Sequence, residues 1–249
     1  MTGPDQAGRR VARLECARAR AAVMILAVIP ARGGSRALRR KNLRMVGGLP
    51  MIAWTVRAAL GADRVDRTIV STDDEEIATA ARRFGAEVPF LRPFDLAGDD
   101  TPTLPVIQHA VRELEGTGAT VSAVVTLQPT SPLRGSELID AAVDLLASSG
   151  ARSVVAVTPL AIPISVVGSL ADGRFHRAQP EGDVRRQAAP EAMRITGSIY
   201  VTSRDLLGEG RLLDEHPAGL VTRGAAALDI DDERGLRAAR RAAGRIPRP

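Results

Sequence analysis

Met24-Ile25-Leu26-Ala27-Val28-Ile29-Pro30-Ala31-Arg32-Gly33-Gly34-Ser35-Arg36, running on to Arg40-Lys41-Asn42, is the stretch around which the chain is organised. Its apolar run from Met24 to Ile29 has the length of one buried parallel strand. The run stops at Pro30, and a small basic loop follows. Gly33 and Gly34 carry no side chain, so backbone N–H groups there can approach a bulky anion. Arg32, Arg36, Arg39, Arg40 and Lys41 add positive charge. The two familiar phosphate loops fit badly. No pair of glycines four residues apart leads into Gly-Lys-Ser/Thr, and the adjacent glycines do not make the dinucleotide fingerprint. The residues point to a nucleoside triphosphate gripped by side-chain cations as well as backbone. A plain surface loop in an arginine-rich chain is the other reading.

Downstream, apolar runs and helical spacings alternate. Ile52, Val56, Ala59 and Leu60 follow Leu49-Pro50-Met51 at helical intervals, with proline near the start. Arg67 to Ser71 reads as a strand, and Ser71-Thr72-Asp73-Asp74 caps a helix reaching Arg83. Glu87–Leu91 reads as a short strand, Pro102–Glu115 as a helix and Ala123–Leu127 as a strand. Ser136–Ala147 reads as a helix and Ser153–Val157 as a strand. This rhythm predicts an α/β fold with a doubly wound, mostly parallel sheet. Ligands of such sheets bind beyond the carboxyl ends of the strands. Arg32, Asp73, Arg92 and Gln128 each lie just past a predicted strand end, so they are expected to meet in one crevice.

From Pro159 to Arg194 the rhythm breaks, with glycines, prolines and arginines throughout. The segment is too long for a plain connection and, at Ile162 to Val167, too apolar for a linker. A β-rich arm or a lid is expected over 159–194. Gly197 to Val201 restores a strand, and Glu233 to Arg241 closes the chain as a helix.

Two further constellations carry chemistry. In Leu228-Asp229-Ile230-Asp231-Asp232, an extended backbone points Asp229 and Asp231 the same way. Two carboxylates facing one site repel unless a hard cation sits between them, and Mg²⁺ shared with phosphate oxygens suits them. Capping of the following helix by Asp231 or Asp232 competes with that reading but accounts for only one of the pair. In Gln128-Pro129-Thr130-Ser131-Pro132-Leu133-Arg134, two prolines stiffen the backbone and place an amide able to donate and accept at a strand end. A rigid turn alone is the competing reading.

Composition narrows the class. The chain of 249 residues is 45% hydrophobic and only 2% aromatic, so its core is built from Val, Leu, Ile and Ala. One domain with a small appendage is expected over 24–249. The net charge of +5 comes without the aromatic-interleaved basic patch or module of a nucleic-acid binder. Lys41 is the sole lysine among many arginines, which marks it out, since a guanidinium replaces a compact ammonium poorly. Cys16 is alone, and His109, His176 and His216 have no ligand spacing. No apolar run approaches the roughly 18 residues of a membrane span. Residues 1–23, basic and without the apolar core of a secretion signal, are expected to be a disordered tail or to lie upstream of a natural start at Met24. A cytoplasmic protein is therefore expected.

Ile29-Pro30-Ala31-Arg32-Gly33-Gly34-Ser35-Arg36 with Lys41-Asn42-Leu43 resembles the signature of the acylneuraminate cytidylyltransferase family. The resemblance recurs in order at Ile69–Asp73, Leu91-Arg92-Pro93, Leu127–Arg134 and Asp229-Ile230-Asp231, covering about Met24 to Ala243. It implies a Rossmann-like nucleotidyltransferase that joins CTP to an acidic sugar, giving CMP-sugar and pyrophosphate. It implies nucleotide binding by Ala31, Arg32, Gly33, Gly34, Ser35, Arg36, Lys41, Asn42 and Arg92. Catalytic roles would fall to Arg32, Lys41 and Asp231, and Mg²⁺ to Asp229 and Asp231. Gln128, Arg186 and Thr196 would bind the sugar, Arg186 through a bidentate grip on its carboxylate. It also implies a homodimer in which the 159–194 arm covers the partner's sugar site.

Several positions depart from the family pattern. Ala37 and Arg39 stand where a glycine and a proline are usual. Ser165, Met193 and Thr196 stand where sialate enzymes carry lysine, an aromatic residue and asparagine. The expected acceptor is accordingly a nonulosonic or keto-deoxy sugar acid other than the common sialic acid. Two rivals remain: a sugar or polyol-phosphate nucleotidyltransferase of the same fold with another substrate pair, and a non-catalytic nucleotide-binding protein.

Overall fold

The computed structural model describes residues 24–35, 38–178 and 191–246. The apolar run at the head of the chain forms β1 (Met24–Pro30), one strand in from the edge of a six-stranded sheet. β1 is flanked by β4 (Arg67–Ser71) and β5 (Val121–Thr126), both parallel to it. β9 (Met193–Ser203) runs antiparallel between β5 and β6 (Ser153–Pro159), and β10 (Ala218–Val221) closes that edge parallel to β6. The mostly parallel α/β sheet expected from the alternation is thus present, with one antiparallel strand inserted.

Alternate residues of β1 serve opposite faces. Ala27 and Ile29 pack with α1 (Met51–Leu60), α2 (Glu75–Arg83) and α4 (Ser136–Ser149). Leu26 and Val28 pack with α3 (Thr103–Glu115) and with Leu207 of α5 (Arg204–Gly208). A sheet covered on both sides is what doubly wound means, and it explains why β1 reads as a continuous apolar run rather than an alternating one. Each fully buried side chain of Val or Ile size contributes about 1.5–3 kcal/mol.

A third apolar cluster lies beside the sheet. Trp54 and Met51 at the start of α1, Val46 of β2 (Met45–Val46), Ile230, and Leu236 and Ala239 of α6 (Glu233–Ala243) meet there. The Trp54 indole N–H donates to the Val46 carbonyl at 2.8 Å. β2 pairs with β3 (Leu49–Pro50) around Gly47 and Gly48, both at positive φ. This cluster draws the carboxyl-terminal helix back against the amino-terminal part of the fold.

Two expectations are corrected in detail. Glu87–Leu91 does not form a strand; only a bridge between Ile69 and Glu87 remains. Glu87 N–H donates to the Thr68 carbonyl at 3.1 Å and its carbonyl accepts from Val70 N–H at 2.8 Å, and the Arg67 guanidinium donates to both Glu87 carboxylate oxygens, at 2.8 and 2.6 Å. The segment around Asp229 is not a strand either; it leaves a short 3-10 turn (Gly224–Ala227) and enters α6. Within Ser71–Asp74 the cap of α2 is Asp74, as that stretch led one to expect, its Oδ1 accepting the N–H groups of Glu76 and Ile77.

In the 159–194 region a 3-10 turn (Ile164–Val166) precedes an exposed hairpin, β7 (Gly168–Ala171) with β8 (Arg174–Arg177). β6 and β9 stay paired out to Pro159 and Met193. Residues 1–23, Arg36, Ala37 and Arg186 fall outside the described residues. Among those described, no helix is long and apolar enough to cross a membrane.

Glu87 is held below its ordinary carboxylate range, first by the hydrogen bonds from Arg67. The unfolded chain binds that proton at higher pH, so the pair stabilises the fold above the ordinary glutamate range and ceases to do so as pH falls through the lowered value. Glu87→Gln is expected to lower Tm at pH 7, with the gap to wild type closing below about pH 4. A gap independent of pH in thermal unfolding would remove the charge pair as the cause.

Candidate active site

Beyond the carboxyl ends of β1, β4 and β5 lies an open cleft of about 410 Å³. Arg32 and Gln128 follow directly on the ends of β1 and β5, as ligand-binding residues of a parallel sheet do, whereas Arg92 follows no strand and is brought to this edge by its bonds to Ser71 and Thr72. Arg32, Gly34, Ser35, Lys41 and Asn42 come from the loop after β1, Arg92 from beyond β4, and Gln128 and Thr130 from beyond β5. Asp229 and Asp231 enter from the segment before α6.

Hydrogen bonds inside the loop give it shape. The Asn42 amide donates to the Arg32 carbonyl at 2.9 Å, and the buried Ala31 N–H donates to the Ser71 carbonyl at 2.9 Å. Gly33 N–H donates to Asp73 Oδ1 at 3.0 Å. The glycines differ in why they are needed. A Cβ on Gly33 would lie 2.7 Å from Asp74 Oδ2, whereas one on Gly34 would meet open space.

The two loop cations are held by carboxylates. Arg32 Nη1 donates to Asp99 Oδ1 at 2.5 Å and to the Gly98 carbonyl at 3.2 Å. Lys41 Nζ donates to Asp231 Oδ1 at 2.9 Å, joining residues 190 positions apart. Arg92 is 6% exposed. Its Nε donates to Ser71 Oγ at 3.1 Å, its Nη2 donates to the Ser71 carbonyl, and its N–H to the Thr72 carbonyl at 2.7 Å. Burial lowers its pKa to about 10, against the pull of Asp73, so it remains a cation at neutral pH.

Beneath the cleft floor, the buried Arg134 guanidinium donates through Nη2 to the Gln128 carbonyl. Burial lowers its pKa to about 9, partly offset by the charge of Asp229. Half-buried Tyr200 is shifted upward by burial and then by Asp229. Asp229 Oδ1 is buried without a hydrogen-bond partner. That orphaned oxygen, beside a second carboxylate and a space for phosphate, fits a divalent cation. Mg²⁺ is commonly held by one or two carboxylates, with substrate phosphates and water completing the shell. The described residues contain no cluster of three or more protein ligands.

The structure therefore brings Arg32, Gly34, Ser35, Lys41, Asn42, Arg92, Gln128, Asp229 and Asp231 to one cleft, with Ala31 and Gly33 in its supporting backbone. Thr196 is elsewhere: it is buried in β9, with its hydroxyl shared between the Ala156 carbonyl at 3.1 Å and Ser198 Oγ at 2.8 Å. Arg36 and Arg186 lie outside the described residues. Asp99, Thr101, Thr103 and Val106 also line the cleft. Nothing in their pattern marks them, because Gly98-Asp99-Asp100 reads as an ordinary turn ahead of a helix. Arg134 sits in a quoted motif, yet its burial could not be read from an arginine in sequence.

Gly33→Ala is expected to push Asp74 off the α2 N-terminus, costing about 1 kcal/mol of stability, and to weaken nucleotide binding through the displaced loop. Gly34→Ala is the control. Equal Tm and nucleotide affinity for the two variants would contradict the steric argument.

Comparison with known proteins gives the family and the fold. Residues 26–195 match the family described as Cytidylyltransferase. The chain is 34% identical over 212 residues to a protein of Legionella pneumophila named CMP-N,N'-diacetyllegionaminic acid synthase, covering 83% of this chain and 90% of that one. It is 29% identical over 209 residues to a Campylobacter jejuni pseudaminic acid cytidylyltransferase, covering 83% of this chain and 90% of that protein. Among solved structures, a CMP:2-keto-3-deoxy-manno-octonic acid synthetase complexed with CTP superposes with a TM-score of 0.67 at 20% identity, over 89% of this chain and 99% of that chain. That likeness speaks for the fold. The chain belongs to the acylneuraminate-type cytidylyltransferase family and is a CTP-dependent nucleotidyltransferase.

Proposed function

We propose that the protein activates an acidic nonulosonic or keto-deoxy sugar with CTP, giving CMP-sugar and pyrophosphate. One observation carries this reading: loop cations, a strand-end amide and a paired carboxylate share a single cleft. The relatives' names, which refer to legionaminic and pseudaminic acids, support the substrate class.

In the proposed reaction the anomeric hydroxyl oxygen of the sugar bonds to the α-phosphorus of CTP. The bond from that phosphorus to the bridging oxygen breaks, pyrophosphate leaves on the opposite side, and the hydroxyl gives up its proton. Negative charge gathers on phosphoryl oxygens, so fixed positive charge is the main catalytic resource. Arg32 and Lys41 meet the triphosphate by exchanging Asp99 and Asp231 for it. Ser35 and Asn42 hydrogen-bond within the nucleotide loop, and Arg92 holds the nucleotide from beyond β4. Gln128 orients the sugar from the end of β5. Asp229 and Asp231 would hold Mg²⁺, which supplies positive charge beside the phosphates when bound. Thr196, with its hydroxyl engaged in β9, acts on the sugar pocket only through the strand that carries it. The proposed setting is the cytoplasm.

The arm over 159–194 is assigned to contact with a second copy. Among its described residues, Ile162, Val166, Leu170 and Phe175 expose apolar side chains, Leu170 by 76%. Leu170 and Phe175 face each other across the hairpin, and exposed apolar residues grouped in this way suit an interaction surface. Leu170→Asp with Phe175→Asp is expected to shift a dimer to monomer in sedimentation while leaving CTP binding intact. A wild-type monomer at micromolar concentration would refute the assignment.

The function is tested by thermal stabilisation with CTP, UTP, GTP and ATP. A selective CTP shift is expected, reaching about 2.7 kcal/mol at 100 times the dissociation constant. Asp231→Asn is expected to cut pyrophosphate release about a hundredfold or more while CTP binding persists. Preference for another nucleotide would favour the rival transferase, and binding without pyrophosphate release from any acceptor would favour a non-catalytic protein. In an acceptor series, legionaminic or pseudaminic acid is expected to outperform N-acetylneuraminic acid; the reverse order would overturn the reading of Met193 and Thr196.

A further inference from the structure

Arg40 has no role in the chemistry above, yet its backbone and its side chain both need a physical reason. Its φ of 56° and ψ of 40° lie in the left-handed region. Among the described residues, every other positive φ belongs to a glycine except that of Asp172, in the turn between β7 and β8. An L side chain is disfavoured in that conformation, which glycine adopts freely. An arginine there is explained by what it reaches. Its Nη1 donates to Glu76 Oε1 at 3.0 Å and its Nη2 meets Glu76 Oε2, so the guanidinium grips the carboxylate through two bonds. Glu76 belongs to the first turn of α2, where Asp74 Oδ1 accepts its N–H at 2.8 Å. The other arm of the same loop is fastened close by, with Gly33 N–H donating to Asp73 Oδ1 at 3.0 Å. Directly after Arg40 comes the 3-10 turn Lys41–Leu43, closed by Leu43 N–H on the Arg40 carbonyl at 2.9 Å. From that turn Lys41 reaches Asp231 at 2.9 Å, and the Asn42 amide turns back to the Arg32 carbonyl at 2.9 Å.

We propose that Arg40 is a positioning residue: its grip on Glu76 clamps the nucleotide loop to α2 and so aims Lys41 and Asn42 into the cleft. The inference rests on the assignment of Lys41 and Asn42 to the triphosphate loop. A lysine is a point charge on a flexible stem, so its direction depends on where its backbone is held. Leu38, buried in the cluster with Trp54, holds the turn on one side, and Arg44, 2.7 Å from Glu233 of α6, holds it on the other. Arg40 adds a third point, on α2. Three points fix the orientation of a turn that two leave free to rotate. Because α2 follows closely on β4, whose end holds Arg92 through Ser71 and Thr72, the clamp also sets the spacing between Lys41 and Arg92. A surface ion pair contributes little to stability, but the two-bond geometry of arginine on a carboxylate is the kind that fixes direction.

The test is calorimetric binding of CTP to the full-length protein in the presence of Mg²⁺, with Tm measured alongside. Arg40→Gly suits the left-handed backbone but loses the grip. It is expected to bind CTP about fivefold more weakly, with a Tm no lower than that of wild type. Glu76→Ala leaves Arg40 in place and separates position from charge. If Arg40 acted only as positive charge near the phosphates, removing its carboxylate partner would tighten CTP binding; the clamp requires binding to weaken, again about fivefold. The double variant is expected to bind CTP no more weakly than either single variant, since both substitutions remove the same contact. CTP binding by Glu76→Ala as tight as in wild type, or tighter, would overturn the proposal. So would a loss of CTP affinity in Arg40→Gly that came with a matching loss of Tm, which is the mark of a merely structural role. Failure of the underlying assignment reads differently, because Lys41→Met would then bind CTP like wild type. Wild-type affinity in the Arg40 and Glu76 variants, with Lys41→Met impaired, would remove the clamp alone.

Discussion

Ile230 N–H donates to the Thr130 carbonyl across 2.8 Å, and the arrangement of the cleft depends on where that bond falls. Ile230 itself is fully buried in the cluster with Trp54, Met51 and Leu236. Its side chain is anchored on one side and its backbone on the other, so Asp229 and Asp231 flank a fixed point. One carboxylate, Asp229, keeps a buried oxygen without a hydrogen-bond partner, and the other, Asp231, reaches Lys41. Without that anchor the late aspartates would belong to an exposed turn, and Lys41 would lose its carboxylate partner.

The cleft is a place where charges are already matched. Asp99 takes Arg32, Asp231 takes Lys41, and Asp73 takes the Gly33 N–H. Each interaction orders a group that a triphosphate would otherwise have to order, and each is partly exposed, so giving it up costs little. Arg92 and Arg134 are different. Their burial makes them permanent features of the floor, and both keep their charge at neutral pH despite pKa values lowered to about 10 and about 9. Exchangeable cations above fixed ones suit a reaction whose charge arrives with the substrate.

Much of the fold was legible because its signals are local. The run Met24–Ile29, the spacing of Ile52, Val56 and Ala59, and the Asp74 cap each act within one element. Glu87–Leu91 misled because its apolar and extended-looking residues lie at the sheet margin. There a single backbone bridge at Glu87 and the ion pair from Arg67 hold the chain, with no longer ladder beyond them. Thr196 shows how little a strand position says of a side chain's partners. Its place beside Gly197 is in the right strand, but the alternation of β9 turns its hydroxyl toward Ala156 and Ser198.

The sequence by itself determined that strands deliver a cationic glycine loop and a proline-stiffened amide and that a spaced pair of aspartates precedes the last helix, because residue type and short spacing suffice for each. Only the tertiary structure decided which of these face one another. The 190-residue reach from Lys41 to Asp231, the closure of Asp99 on Arg32 and the burial of Arg134 depend on how α6 packs against Trp54 and how β9 enters the sheet. Those are properties of long-range packing, set by the summed fit of many apolar side chains, and no local pattern encodes them.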